Sequence, residues 1–136
     1  MHTQITDRSP HARRLLQLLF AGAVVAASAP AFAHHGWSWA DEEQTELKGS
    51  ITSISMAPPH PSLRVTAADG AVWQVDLANP NQTARSKFTA DTAKPGDAIT
   101  VLGNRHQDKS QRVMKAVRIT VGGRNYDLYP ERIGAK

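Results

Sequence analysis

Two adjacent histidines, His34 and His35, follow Ala31-Phe32-Ala33 in the stretch "AFAHHGWSW". An Ala-x-Ala triplet after an apolar run is the pattern at which exported chains are cut. A cut after Ala33 makes His34 the amino-terminal residue, and its α-amine and ring Nδ1 then form one chelate ring around a metal ion. The amine, with a pKa of about 7.7–8.0, and the imidazole, at about 6.5, both yield a proton to a metal near neutral pH. Copper(II) heads the affinity order for nitrogen ligands. One further histidine would complete a three-nitrogen brace. His35 offers a competing mode, a square plane built from the amine, the intervening amide and its own ring. Both modes require cleavage at this one bond.

His60 is the leading candidate for the third ligand. It stands in "PPHP", Pro58 to Pro61, where the prolines hold the backbone stiff. His106 is a fourth candidate. Met56 is considered with Trp37 and Trp39 because small copper carriers use thioethers and an aromatic face over Cu(I). Met114 is expected on a strand face turned away from the core. Catalysis finds little support. There is no cysteine, and no nucleophile elbow, phosphate loop, dinucleotide fingerprint or zinc-protease motif.

The chain has 136 residues, enough for one small domain. Residues 1–33 read as a secretory signal, with Arg8, His11, Arg13 and Arg14 before the apolar run Leu15 to Ala29. That run is short of the ~20 residues a membrane span needs, so no stable span is expected after cleavage. Arg13-Arg14 hints at a twin-arginine signal, but Gln17 interrupts the apolar run. The expected location is the periplasm. Charge is unevenly placed: His34 to Ala84 carries 2 basic and 6 acidic residues, Arg85 to Lys136 11 and 5. Aromatics are not interleaved with the basic residues as nucleic-acid platforms require, so nucleic acid is not expected as a partner.

Short alternating segments with turn signals between them predict an all-β domain. "TELKGSITSISM", Thr45 to Met56, puts Leu47, Gly49 and Ile51 on one face, then shifts phase to Ile54 and Met56, which predicts a bulge near Ser53. "APPHP" is a loop. Ser62 to Ala68 and Ala71 to Ala78 form a hairpin across a two-residue Asp69-Gly70 turn. Asn79 caps a short helix with Pro80 at its first position, running to about Lys87, and Phe88 packs down. Ala98 to His106 and Arg112 to Val121 are the fourth and fifth strands, and Gly122-Gly123 turns into a short final piece. Five strands with a helix between the third and fourth is the order of an OB-fold, a small Greek-key barrel. An extended segment, 34–46, precedes the barrel at 47–136. The expected core is Leu47, Ile51, Val65, Trp73, Val75, Leu77, Phe88, Ile99, Val101, Val117 and Ile119. The "PPHP" loop then lies at a barrel end, within reach of the incoming amino-terminal segment.

"AHHGW", a proline-histidine in the first loop, "PN" opening the helix and "KPGD" before the fourth strand together resemble DUF6152, a family of small exported bacterial proteins of unknown function. The resemblance implies His-His near the mature start, matched by His34 and His35. It also implies Asn-Pro-His before the second strand. Here Pro58-Pro59-His60 keeps the histidine but has proline where the asparagine would stand, losing a side chain able to orient the ring.

The expected function is a small periplasmic carrier or accessory protein, not an enzyme, that binds copper through His34, His35 and His60. The alternative is a metal-free module whose barrel face takes an anionic ligand, a glycan or a periplasmic partner protein through Arg64, Arg105 and the basic strands.

Overall fold

A computed structural model describes residues 36–134. Six strands follow in order: β1 Ala40–Ser55, β2 Ser62–Ala67, β3 Val72–Asp76, β4 Ala98–His106, β5 Val113–Val121 and β6 Arg124–Asp127. The helix α1, Pro80–Arg85, lies between β3 and β4, and a 3-10 turn spans Pro130–Arg132. The hydrogen-bonded order is β3-β2-β1-β4-β5-β6, and β3 pairs a second time, in parallel, with β5. That pairing brings the first five strands round into a partly closed ring. The helix between β3 and β4 completes the OB-fold arrangement expected from the sequence.

The ring closes because β1 is long and bent. Its first part pairs with β4 from Ala40 to Ser50, and its second with β2 from Gly49 to Ser55. At the overlap, a Cβ on Gly49 would come 2.3 Å from the Thr66 carbonyl oxygen, so only glycine allows the strands to pass this closely. The register shifts between Ile51 and Ser53, leaving Thr52 and Ser53 both exposed. The phase change read from the sequence is this bulge. β1 also begins at Ala40, so much of the expected lead-in segment is already sheet. Between Ala40 and Gln44 the β1–β4 ladder opens again, and the buried Asn104 amide fills the gap by donating to the carbonyls of Asp41 (2.9 Å) and Glu42 (3.2 Å).

The hairpin between β2 and β3 has a three-residue loop, Ala68 to Gly70, where the sequence suggested two. Ala67 N–H donates to the Ala71 carbonyl, Gly70 sits at φ 80, and Asp69 Oδ1 accepts from Ala71 N–H. A type I turn closed by a left-handed glycine is the three-residue solution that matches strand twist. In α1, Asn79 Oδ1 accepts from Gln82 N–H at 2.9 Å. The helix stops at Arg85, two residues before the expected end, where Lys87 turns to φ 69. Phe88 is 1% exposed and meets Tyr126 edge-on, closing one end of the core.

Every residue expected in the core is buried. The strand count is corrected from five to six: "NYDLY" contributes β6, and Tyr126 and Leu128 join the core. Met114 is also corrected. It is 1% exposed inside the barrel, because Val117 is the extra residue of a bulge opposite Leu102-Gly103 and resets the phase of β5. Met114 to Val117 are all buried, with no alternation. One face of this run lines the barrel, while the other lies beneath residues flanking the sheet at both ends of the chain.

Candidate functional site

His34 and His35 lie outside the described residues. Among the described residues, no three side chains of His, Asp or Glu gather around a position for one metal ion. His106 ends β4, stacked on Trp39 with ring centroids 5.4 Å apart, and its Nδ1 accepts from Asp108 N–H at 2.9 Å. It serves there as a turn cap and as a partner for the tryptophan. Met56 packs against the core and borders an apolar cleft with Pro61, Pro80 and Phe88. Met114 lies inside the barrel, away from any surface ion. His60 is half-buried in the loop between β1 and β2, with its ring nitrogens screened from solvent.

The segment just after the histidine pair is firmly placed. Lys115, on β5, is 4% exposed, and its Nζ donates to the Gly36 carbonyl at 3.2 Å. The same ammonium lies 5.1 Å from the Trp37 ring centroid and 5.8 Å from that of Tyr129. The Arg132 guanidinium stacks over Trp37 at 3.9 Å, and Tyr129 meets the indole edge-on at 4.8 Å. Cations over aromatic faces attract through the ring quadrupole, more so where water is excluded. Burial pushes the Lys115 pKa below the ordinary lysine value; Asp76 opposes this and Arg132 adds to it. Burial raises Tyr129.

The C-terminal half of this arrangement is fixed by backbone bonds. Leu128 and Tyr129 N–H both donate to the Val117 carbonyl. Gln44 donates to the Arg132 carbonyl at 2.5 Å and accepts from Gly134 N–H at 3.2 Å. The cleft beside Trp37, about 330 Å³, is bordered by side chains largely engaged elsewhere, including Asp41 in an ion pair with Lys109. That contact holds the Asp41 carboxyl below the usual range.

Registered pairs on adjacent strands project to the same face. Gln44 pairs with Asn104, Asn104 with Lys115, Lys115 with Asp76, and Asp76 with Ser62. A polar row therefore crosses the outside of the barrel from the residues beside Trp37 to the start of β2, two residues beyond His60. Sequence reasoning missed Lys115, Tyr129, Arg132 and Asn104. The one available signal was a lysine inside the otherwise apolar "VMKAV", a sign of a strand covered on both faces.

Arg64 is exposed on β2, beside Gln74 of β3. Arg105 is not free on that face; its guanidinium stacks over Trp73 at 4.6 Å. Val72 is the one large hydrophobic side chain well exposed among the described residues, at 48%.

No curated protein matches the chain. Solved structures with a similar fold include a chain of the Stn1–Ten1 complex of S. pombe, at 19% identity and a TM-score of 0.48 over 57% of this chain. The match spans 57% of that chain's length. They also include Rim1, a mitochondrial single-stranded DNA-binding protein of S. cerevisiae, at 9% identity and a TM-score of 0.46, covering 60% of this chain and 95% of the other. Because a named DNA binder stands among these similar folds, the sequence-based exclusion of nucleic acid as a partner is withdrawn. A family model described as a family of unknown function (DUF6152) matches residues 22–115. This match covers more than half of the chain, which therefore belongs to the DUF6152 family.

Proposed function

We propose that the protein is an exported copper-binding carrier or accessory factor, not an enzyme, with His34, His35 and His60 as ligands and the His34 α-amine exposed by cleavage after Ala33. One observation carries the reading. The Gly36 carbonyl is held by Lys115, and Lys115 is separated from Ser62 by one strand position, Asp76. At about 4.8 Å between strands, Lys115 and Ser62 backbones lie roughly 10 Å apart. A two-residue arm spans up to about 7 Å before its imidazoles are counted. The row that begins beneath Gly36 thus leads to within two residues of His60, which supports this set of ligands. Nitrogen ligands of this kind favour copper(II).

Isothermal titration of Cu(II) into the chain starting at His34 is the test. Tight one-to-one binding is expected, weakened at least tenfold by acetylation of the His34 α-amine and by His60→Ala. Equal affinity in all three proteins overturns the reading.

A second reading is favoured by the exposed Val72 beside the Arg64–Gln74 pair, on the strand 2–3 face that OB-folds use for ligands. There the module would take an anionic ligand, a glycan or a partner protein without metal. Salt-sensitive binding that survives both a chelator and loss of His34 and His35 would assign the function to that face.

A further inference from the structure

We infer that Lys115, Trp37 and Arg132 are positioning residues for the amino-terminal ligands, a latch that pins Gly36 and Trp37 to the outside of β5 and sets where the histidine pair emerges. The inference rests on the metal-binding reading for its purpose, but the latch itself is a matter of contacts. Four holds converge on two residues. Lys115 takes the Gly36 carbonyl. Arg132 and Tyr129 take one face and one edge of Trp37. The Trp37 carbonyl accepts from Ala40 N–H at 3.0 Å, which turns the segment directly into β1.

The residue between the histidines and the latch is glycine for a physical reason. Gly36 adopts φ 81, a conformation that side-chain-bearing residues rarely take. The chain therefore changes direction immediately after His35, and the Trp37 anchor fixes that direction. In "HHGW" the two histidines are the ligands, the glycine is the corner and the tryptophan is the anchor. Tyr129 and Arg132 belong to the C-terminal segment, which Gln44 and the Val117 carbonyl hold in place. The segment after β6 thereby positions the residues before β1.

A ligand arm already placed before the metal arrives loses less conformational freedom on binding. Groups that orient ligands from outside the coordination sphere typically change metal affinity by about 10- to 100-fold. The experiment uses the protein starting at His34, with Lys115→Met and Arg132→Gln as separate variants. Arg132 is half-exposed on a turn, so its variant keeps the test open if Lys115→Met fails to fold. Asn79→Ala, which removes the distant helix cap, controls for loss of stability alone.

Two quantities are read: hydrogen exchange of the amides from 36 to 40 without metal, and Cu(II) affinity by titration. Faster exchange with about tenfold or greater loss of affinity is expected in both latch variants, with neither effect in Asn79→Ala. Unchanged exchange overturns the latch. Faster exchange with unchanged affinity overturns the positioning role. A parent protein that binds no Cu(II) overturns the proposed function, while the exchange data still decide whether the latch exists.

Discussion

Lys115 is the residue whose chemistry departs furthest from what its neighbours in sequence suggest. It is a lysine in a strand, buried beneath Trp37 and Tyr129 and in hydrogen-bond contact with the Gly36 carbonyl. Its folded pKa lies below the unfolded value of 10.5 because burial disfavours the charged form. Between those two values the unfolded chain binds more protons, so this group's contribution to stability rises with pH and levels off above 10.5. Tyr129 acts oppositely. Its pKa is raised from 10.0 by burial, so stability from that group is present below 10.0 and lost as pH climbs through the folded value. Urea unfolding across mildly alkaline pH, kept below 10.0, isolates the lysine. The parent protein is expected to gain stability relative to Lys115→Met as pH rises; parallel curves would show that Lys115 is not buried as a cation.

At the scale of elements, the barrel depends on places where a strand breaks its own rule. β1 bends where Gly49 passes Thr66 and bulges at Thr52-Ser53. β5 bulges at Val117 opposite Gly103. A Cβ on Gly103 would sit 2.2 Å from the Lys115 carbonyl oxygen, a backbone atom that cannot swing away. Gly103→Ala should therefore cost on the order of 2–4 kcal/mol, read as a fall in the thermal midpoint. The β1 bulge was legible because Ile51 and Ile54 shift the apolar phase in plain view. The β5 bulge was not, since Ala116 and Val117 are adjacent and both apolar, and either could be read as facing the core. The same ambiguity misplaced Met114. The two-residue reading of Asp69-Gly70 failed more narrowly: the Gly was right, but Ala68 joined the loop because a type I turn needs a left-handed residue at its end.

At the scale of the whole molecule, the first and last stretches of the described residues meet over the same strand. Gly36 and Trp37 lie over Lys115 of β5 and are joined there to Tyr129 and Arg132. Metal captured at the start of the chain is therefore expected to stabilise the whole barrel. At a free Cu(II) concentration about 100-fold above Kd, binding to the folded state alone adds roughly 2.7 kcal/mol. A thermal melt should show that gain for the chain starting at His34 and lose it when the His34 α-amine is acetylated. A gain equal in both proteins would place the metal elsewhere.

The sequence by itself determined the strands, their turns, the capped helix and hence the barrel, because alternation, Gly and Pro act over a few residues. It also singled out "HHGW", since two adjacent histidines are a signal local to the sequence. Only the tertiary structure decided which side chains surround that segment. Lys115, Tyr129 and Arg132 come from β5 and from the residues after β6, 78 or more positions away from Trp37. They meet it because strand pairing carries β5 beneath the start of β1, and no pattern within either segment encodes that meeting.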